Sequence, residues 1–206
     1  MRQFRFLWAI LTLLILTLWF IPTTGAHKAR ASNPTIAVLQ FSNKADNQWW
    51  FHGGAAAAQD AFVSELNKTG KFQVLDRQKV DALMQARGLT ISGDLNAATA
   101  VRLGKLLGAR YLLTGAVTEY GAVAAGAKSG VFDVRQRKFV AALKAQLIDT
   151  STGKSVWSDA ESSETSDASV SVGGFGGGVA QDNRMFDQVM KPTIQKLVAR
   201  LKAARP

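Results

Sequence analysis

The residues of this chain that could do chemistry are few, and none falls into a working constellation. Gly153-Lys154-Ser155 reads like the end of a phosphate-binding loop, in which backbone amides and a lysine cradle phosphate oxygens. The glycine such a loop needs five positions before Gly153 is Ile148. Gly174-Phe175-Gly176 begins like a dinucleotide fingerprint, but its closing glycine position is Val179 and no strand–turn–helix pattern surrounds it. His52 has the side chain of a general base. It stands beside Trp49-Trp50-Phe51 and Gly53 with no partner nucleophile, and so reads as a loop histidine. No histidine pair is placed to hold zinc. Serines crowd Ser162–Ser171, in a polar tract without a base nearby. The chain is therefore expected not to be an enzyme, and it calls for no cofactor or metal.

Composition and the N-terminal segment narrow the setting. The chain has no cysteine, which removes disulfides, thiolate metal sites and cysteine nucleophiles together. Arg2 and Arg5 precede an apolar run from Phe6 to Ile21, interrupted at Thr12 and Thr17, and Thr24-Gly25-Ala26 offers a small-residue cleavage site. This is the pattern of an export signal over 1–26, whether cleaved or kept as an anchor. The apolar run is shorter than the ~20 residues a membrane-spanning helix uses. Losing the signal removes two arginines and no acids, so the net charge falls from +10 to +8. Such a surface suits anionic envelope polymers or lipid head groups, and the export signal argues against nucleic acid.

The elements that follow alternate between strand and helix. Residues 27–34 read as a leader. Thr35–Phe41 (TIAVLQF) is apolar on both faces, with Ile36, Val38 and Gln40 against Ala37, Leu39 and Phe41, as in a buried central strand. Gly53-Gly54 opens an alanine-rich helix carrying Ala58, Ala61, Phe62 and Leu66 on one stripe, and Gly70 ends it. Phe72–Leu75 is a short strand. Asp76 then caps a helix over about Arg77–Arg87 with Val80, Leu83 and Met84 at helical spacing. A third helix over Ala97–Leu107 buries Ala100, Leu103 and Leu107 and stops at Gly108. Tyr111–Val117 and Phe139–Ile148 are strands, and Thr152-Gly153 turns the second into Lys154–Ser158 as a hairpin. The last helix, about Met185–Lys202, faces Phe186, Val189, Met190, Ile194, Leu197, Val198 and Leu201 inward. Pro192 should kink it or mark a late start. The sum is an α/β fold, a mixed β-sheet packed with helices.

The order of these elements, above all Thr69–Gly115 flanked by Thr35–Phe41 and by Asp149-Thr150-Ser151-Thr152-Gly153-Lys154, resembles the curli secretion-channel (CsgG) family. The resemblance implies a periplasmic α/β domain over 35–206, with 118–138 and 158–182 as hairpin or loop insertions. It implies subunits assembled in a ring in the outer membrane, each giving two β-hairpins to a shared barrel and assisting export of a protein or polymer. It also implies a constriction loop after the first strand, here Ser42–His52. By position Asn47 and Gln48 are the candidates for its amide, and Trp49, Trp50 and Phe51 for its aromatic rings. A second reading of Trp49 and Phe51 has them staple the loop onto the alanine-rich helix.

Two features depart from the family. Most curli channels carry a lipid-bearing cysteine after the signal, and this chain has none, so it is expected to be exported without being a lipoprotein. The hairpins are the other departure. A spanning hairpin takes roughly 20–24 residues with its turn. Tyr120–Lys138 offers 19 and carries Lys128, Asp133, Arg135, Arg137 and Lys138, whereas Ser158–Asp182 offers 25. The alternative function is a soluble periplasmic binding or regulatory module of an envelope enzyme, similar to the penicillin-binding-protein activators, which share a related domain without a pore.

Overall fold

The computed structural model describes residues 32–45, 53–89, 95–129, 132–170 and 184–204. The chain divides into a unit of residues 1–32 and a unit of residues 33–206, and the architecture is that of the second. Strand β1 (Thr35–Val38) is followed by the two-residue β2 (Ser42–Asn43), helix α1 (Ala55–Thr69) and the edge strand β3 (Gln73–Val74). Helices α2 (Arg77–Ala86) and α3 (Ala97–Leu107) lead into three long strands, β4 (Tyr111–Ser129), β5 (Phe132–Asp149) and β6 (Lys154–Val170). A π-helical turn (Phe186–Met190) then runs into α4 (Lys191–Ala204). The sheet order is β3-β1-β4-β5-β6, with β2 also on β4. Pairs among β1, β2, β3 and β4 are parallel, whereas β4-β5-β6 is an antiparallel meander. This is a mixed sheet packed with helices, as the alternation of elements predicts.

Each helix has a local cause. The Asp76 carboxylate accepts from the Lys79 amide at 3.0 Å and starts α2. The Asn96 side chain does the same for α3, accepting from Thr99 at 2.8 Å. Gly70 and Gly108, at φ +63° and +65°, end α1 and α3 in the left-handed conformation a side chain resists. In the last helix the Lys191 amide reaches back to the Phe186 carbonyl, an i→i−5 bond. Pro192, which has no N–H to continue the ladder, thus follows a π turn rather than a late start.

Apolar residues divide between the two faces of the sheet. On one, α1, the π turn and α4 cover Ile36, Val38, Leu113, Val117, Leu143 and Leu147 with Phe62, Leu66, Met190, Ile194 and Leu197. On the other, α2 and α3 cover Ala37, Leu39, Leu112 and Ile148 with Val80, Met84, Leu103 and Leu107. Helix α3 lies so close that a Cβ on Gly104 would stand 2.2 Å from the Thr150 side chain.

Three expectations are corrected. The alternation of Thr35–Phe41 does not continue through its last residues. Val38 pairs with Leu113 and Ser42 with Ala116, so three residues, 39–41, oppose two, 114 and 115. This bulge turns Phe41 onto the same face as Ile36 and Val38 and leaves Gln40 exposed. Leu83 is 41 % exposed, because Val80 and Met84 hold the line facing the sheet. Lastly, the segments read as a strand ending at Val117 and another starting at Phe139 form one ladder with 118–129 and 132–138. It pairs from Tyr111↔Asp149 to Ser129↔Phe132, shifted once between Val117 and Glu119.

Candidate functional site

The loop predicted to carry Asn47, Gln48, Trp49, Trp50 and Phe51 lies, with His52, outside the described residues; what is described is the frame that holds its two ends. At the first end, Ser42 and Asn43 pair with Ala116 and Val117. The Lys44 amide donates to the Val117 carbonyl at 2.8 Å, and the Asn43 side chain accepts from the Ala45 amide at 3.2 Å, starting a turn away from the sheet. At the second end Gly53 has φ +105°, a conformation open to glycine, just before α1.

Phe41 locks the frame to the helix layer. Its ring stacks on Phe62 of α1 with centroids 4.7 Å apart and planes 17° from parallel. The bulge that aims Phe41 there works because residue 115 is glycine. A Cβ on Gly115 would lie 1.9 Å from the Lys144 carbonyl oxygen and 2.8 Å from the Phe41 ring.

A polar knot joins α1, α2 and the end of β1. Gln59, 2 % exposed, donates from Nε2 to the Val38 carbonyl at 2.7 Å and to Asp81 at 3.4 Å. Arg77 bridges Asp60 on α1 and Asp81 on α2, the latter at 3.0 Å. Gln59 was not singled out from the sequence. Its signal was there, a glutamine beside Ala58 on the buried stripe. Among the described residues no buried polar side chain lacks a hydrogen-bond partner.

At the far end of the sheet, the turn from β5 to β6 is held by Asp149. Its carboxylate accepts from the Ser151 amide at 2.8 Å, from the Ser151 hydroxyl at 2.6 Å and from Arg110 at 2.8 Å. Burial pushes this carboxyl up, but the Ser151 bonds and the Arg110 charge outweigh it, and the group lies below the usual aspartate range. Strand β6 is tied to α4 by Lys196 on Glu161 at 3.2 Å and by Arg200 on Asp159 and Glu161. These are exposed pairs, worth little in stability.

The long meander is the second part of the site. Beyond Asn43↔Val117 the outer edge of β4 has no strand beside it among the described residues, and neither has the outer edge of β6. From Gly121 to Ser129, β4 runs nine more residues, ~30 Å at the usual rise. β6 accompanies β5 as far as Val134↔Val170. Of the segment expected over 158–182, the part to Val170 is strand, and 171–182 lies outside the described residues. On this ladder Lys138 pairs with Glu164 at 2.6 Å. Among the described residues no helix is long and apolar enough to cross a membrane, which leaves strands undecided.

The described residues form an α/β body whose sheet extends into a long β-meander with open edges among those residues. The chain belongs to the family of the curli production assembly/transport component CsgG, whose profile matches residues 23–203. It is thereby a protein of the cell envelope. No curated protein matches it. Among solved structures it is similar to the lipoprotein GNA1162 from Neisseria meningitidis, at 24 % identity over 64 % of this chain and 81 % of that one, with a TM-score of 0.47. It is similar to the LpoB C-terminal domain from Escherichia coli, at 20 % identity over 64 % of this chain and 82 % of that one, TM-score 0.45. The PelC dodecamer from Paraburkholderia phytofirmans is similar at 20 % identity over 81 % and 86 %, TM-score 0.42.

Proposed function

We propose that this protein is a non-enzymatic subunit of a ring in the outer membrane that assists the passage of a protein or polymer. The observation that carries this reading is the β4–β5 ladder, which after its single shift between Val117 and Glu119 continues nine residues beyond Tyr120. A membrane strand takes about 9–11 residues.

The register of that extension supports the same reading. Pairing puts positions 124, 126 and 128 on one face with 137, 135 and 133, and with 167 and 169 of β6. That set holds Arg137, Arg135, Asp133, Lys128 and Asp167. The opposite set, 123, 125, 127, 134, 136, 168 and 170, is Val, Ala, Ala, Val, Gln, Ala and Val, apolar but for Gln136. Polar inward and apolar outward is the alternation of a spanning barrel. The two open edges are what neighbouring subunits would pair to close it. In this reading residues 1–26 are the export signal, 35–206 the working domain, and Asn47, Gln48, Trp49, Trp50 and Phe51 narrow the mouth.

Membrane fractionation tests it. Expressed with its own N-terminal segment, the protein should be extracted from outer membranes by detergent as a ring visible by electron microscopy. Recovery only as a soluble periplasmic monomer overturns the pore.

One observation favours the second reading, a soluble module that docks on an envelope enzyme. Lys138 and Glu164, ion-paired, sit on the more apolar face, which also carries Gln136 and Ser166. For that reading a soluble monomer should capture a peptidoglycan synthase and stimulate it, and failure to do either counts against it.

A further inference from the structure

We propose that the groove between α2 and α3 is a binding site for a small amphiphile, a single anionic head on an apolar body. The inference is independent of the membrane reading. The groove is a cavity of ≈ 300 Å³ lined by Arg87, Leu89, Thr99, Arg102, Leu103 and Leu106. Thr99, Arg102 and Leu106 recur along one stripe of α3. Leu103 belongs to the core beneath, and Leu89, just past the end of α2, packs against that core from the side.

Among the described residues the charges lining this cavity are of one sign. Its lining holds two arginines and no acid. Arg77, Arg110 and Arg200 each have carboxylate partners, Asp60 and Asp81, Asp149, and Asp159 and Glu161, whereas Arg87 and Arg102 stand exposed beside the groove. Among the described residues neither Arg87 nor Arg102 has a carboxylate partner, and Arg102 makes a long 3.4 Å bond to the Thr99 hydroxyl of its own helix. Arg87 alone would be unremarked, since a cation at the end of α2 suits the helix dipole. Arg102 stands mid-helix and has no such reason. Two guanidinium groups and a hydroxyl at the rim of an apolar pocket match a carboxylate, sulfonate or phosphate head.

Room for the apolar body comes from Leu89. It forms part of a second cavity of ≈ 260 Å³, floored by Leu39, Val80 and Met84 at the carboxyl end of β1. A short chain or a pair of rings entering over Leu103 and Leu106 would meet Leu89 with Leu39, Val80 and Met84 beyond it, while Gln40, Asp81 and Gln85 line the rest of that second cavity and the Asp81 carboxylate turns away an anionic head. The size suits a small ligand rather than a folded partner.

Two dyes that share their rings and differ in charge test this on the full chain. Anilinonaphthalene sulfonate carries the anionic head, and N-phenyl-1-naphthylamine lacks it. The sulfonate dye should bind, more weakly as salt is raised, and should lose about tenfold or more in affinity in the double variant Arg87→Gln/Arg102→Gln. Lys105→Gln removes the same kind of charge from α3 outside the cavity and should leave affinity within about twofold. Any signal from the neutral dye should be the same in all three proteins. Laurate should displace the sulfonate dye where dodecanol does not. Absence of sulfonate-dye binding, retention of it in the double variant, an equal loss in Lys105→Gln, or equal displacement by the alcohol would each overturn the site.

Discussion

Gly115→Ala puts one methyl group where the fold has no room for it. The new Cβ would lie 1.9 Å from the Lys144 carbonyl oxygen, against an ordinary closest approach above 3 Å, and 2.8 Å from the Phe41 ring. The oxygen belongs to the backbone of β5, which is paired on both sides, so it cannot swing away as a side-chain tip would. Relief requires β4 to part from β5, or Phe41 to leave its stack on Phe62 and undo the bulge. Overpacking of this kind costs about 1–3 kcal/mol, and a backbone obstacle places this case at ~3 kcal/mol. For a domain of this size 1 kcal/mol moves the melting temperature by about 2–4 °C, so the variant should melt roughly 6–12 °C lower. Gly121→Ala on the same strand meets nothing within 4 Å, and should stay within about 0.5 kcal/mol of the parent. Thermal and urea unfolding of the three proteins, at one protein concentration because assembly shifts apparent stability, make the comparison. A Gly115→Ala melt within 1–2 °C of the parent, or an equal loss in Gly121→Ala, would refute the argument that this glycine admits the bulge.

Other expectations follow from the same frame. Gln59→Leu keeps the volume but deletes the donor to the Val38 carbonyl, leaving that buried acceptor unpaired. It should cost about 1–3 kcal/mol in urea unfolding, and no loss would mean that water or a shifted side chain replaces the amide. Asp149 is held below the ordinary 3.8 of aspartate, so its contribution to stability is complete above that value and is lost as pH falls through the lower folded value. Asp149→Asn should flatten stability against pH below about 4 and leave other acid-labile groups untouched, and an unchanged acid limb would remove Asp149 from the account. Replacing Trp49 and Trp50 together by alanine should raise leakage of large antibiotics at nearly unchanged melting temperature if the rings line a constriction. A large stability loss without leakage would place them in packing instead.

Much of the fold is legible because its causes are local. Asp76 and Gly108 mark the start of α2 and the end of α3 as read, since a cap is satisfied by amides or carbonyls within a few residues. The inward line of the last helix, from Val189 to Leu201, is likewise written in its own spacing. Leu83 shows the limit. Its spacing matches Val80 and Met84, but which side of a helix meets the sheet is decided by how the helix lies, and Leu83 falls outside. The candidate site is legible as a loop rich in aromatic residues. Its frame is not, because Phe41 reaches Phe62 through a bulge at 39–41 that exists only against the register of β4, more than seventy residues later.

By itself, then, the sequence determined most of the strands and helices of the α/β body and the caps that start and stop α2 and α3. Those properties follow from backbone preference, capping and apolar period, all of which act between near neighbours. Tertiary structure decided the bulge at 39–41, the burial of Gln59, and the joining of 118–129 and 132–138 with their flanking strands into one ladder. Each depends on a partner distant in the chain: a neighbouring strand sets the register, and register determines which face a side chain takes.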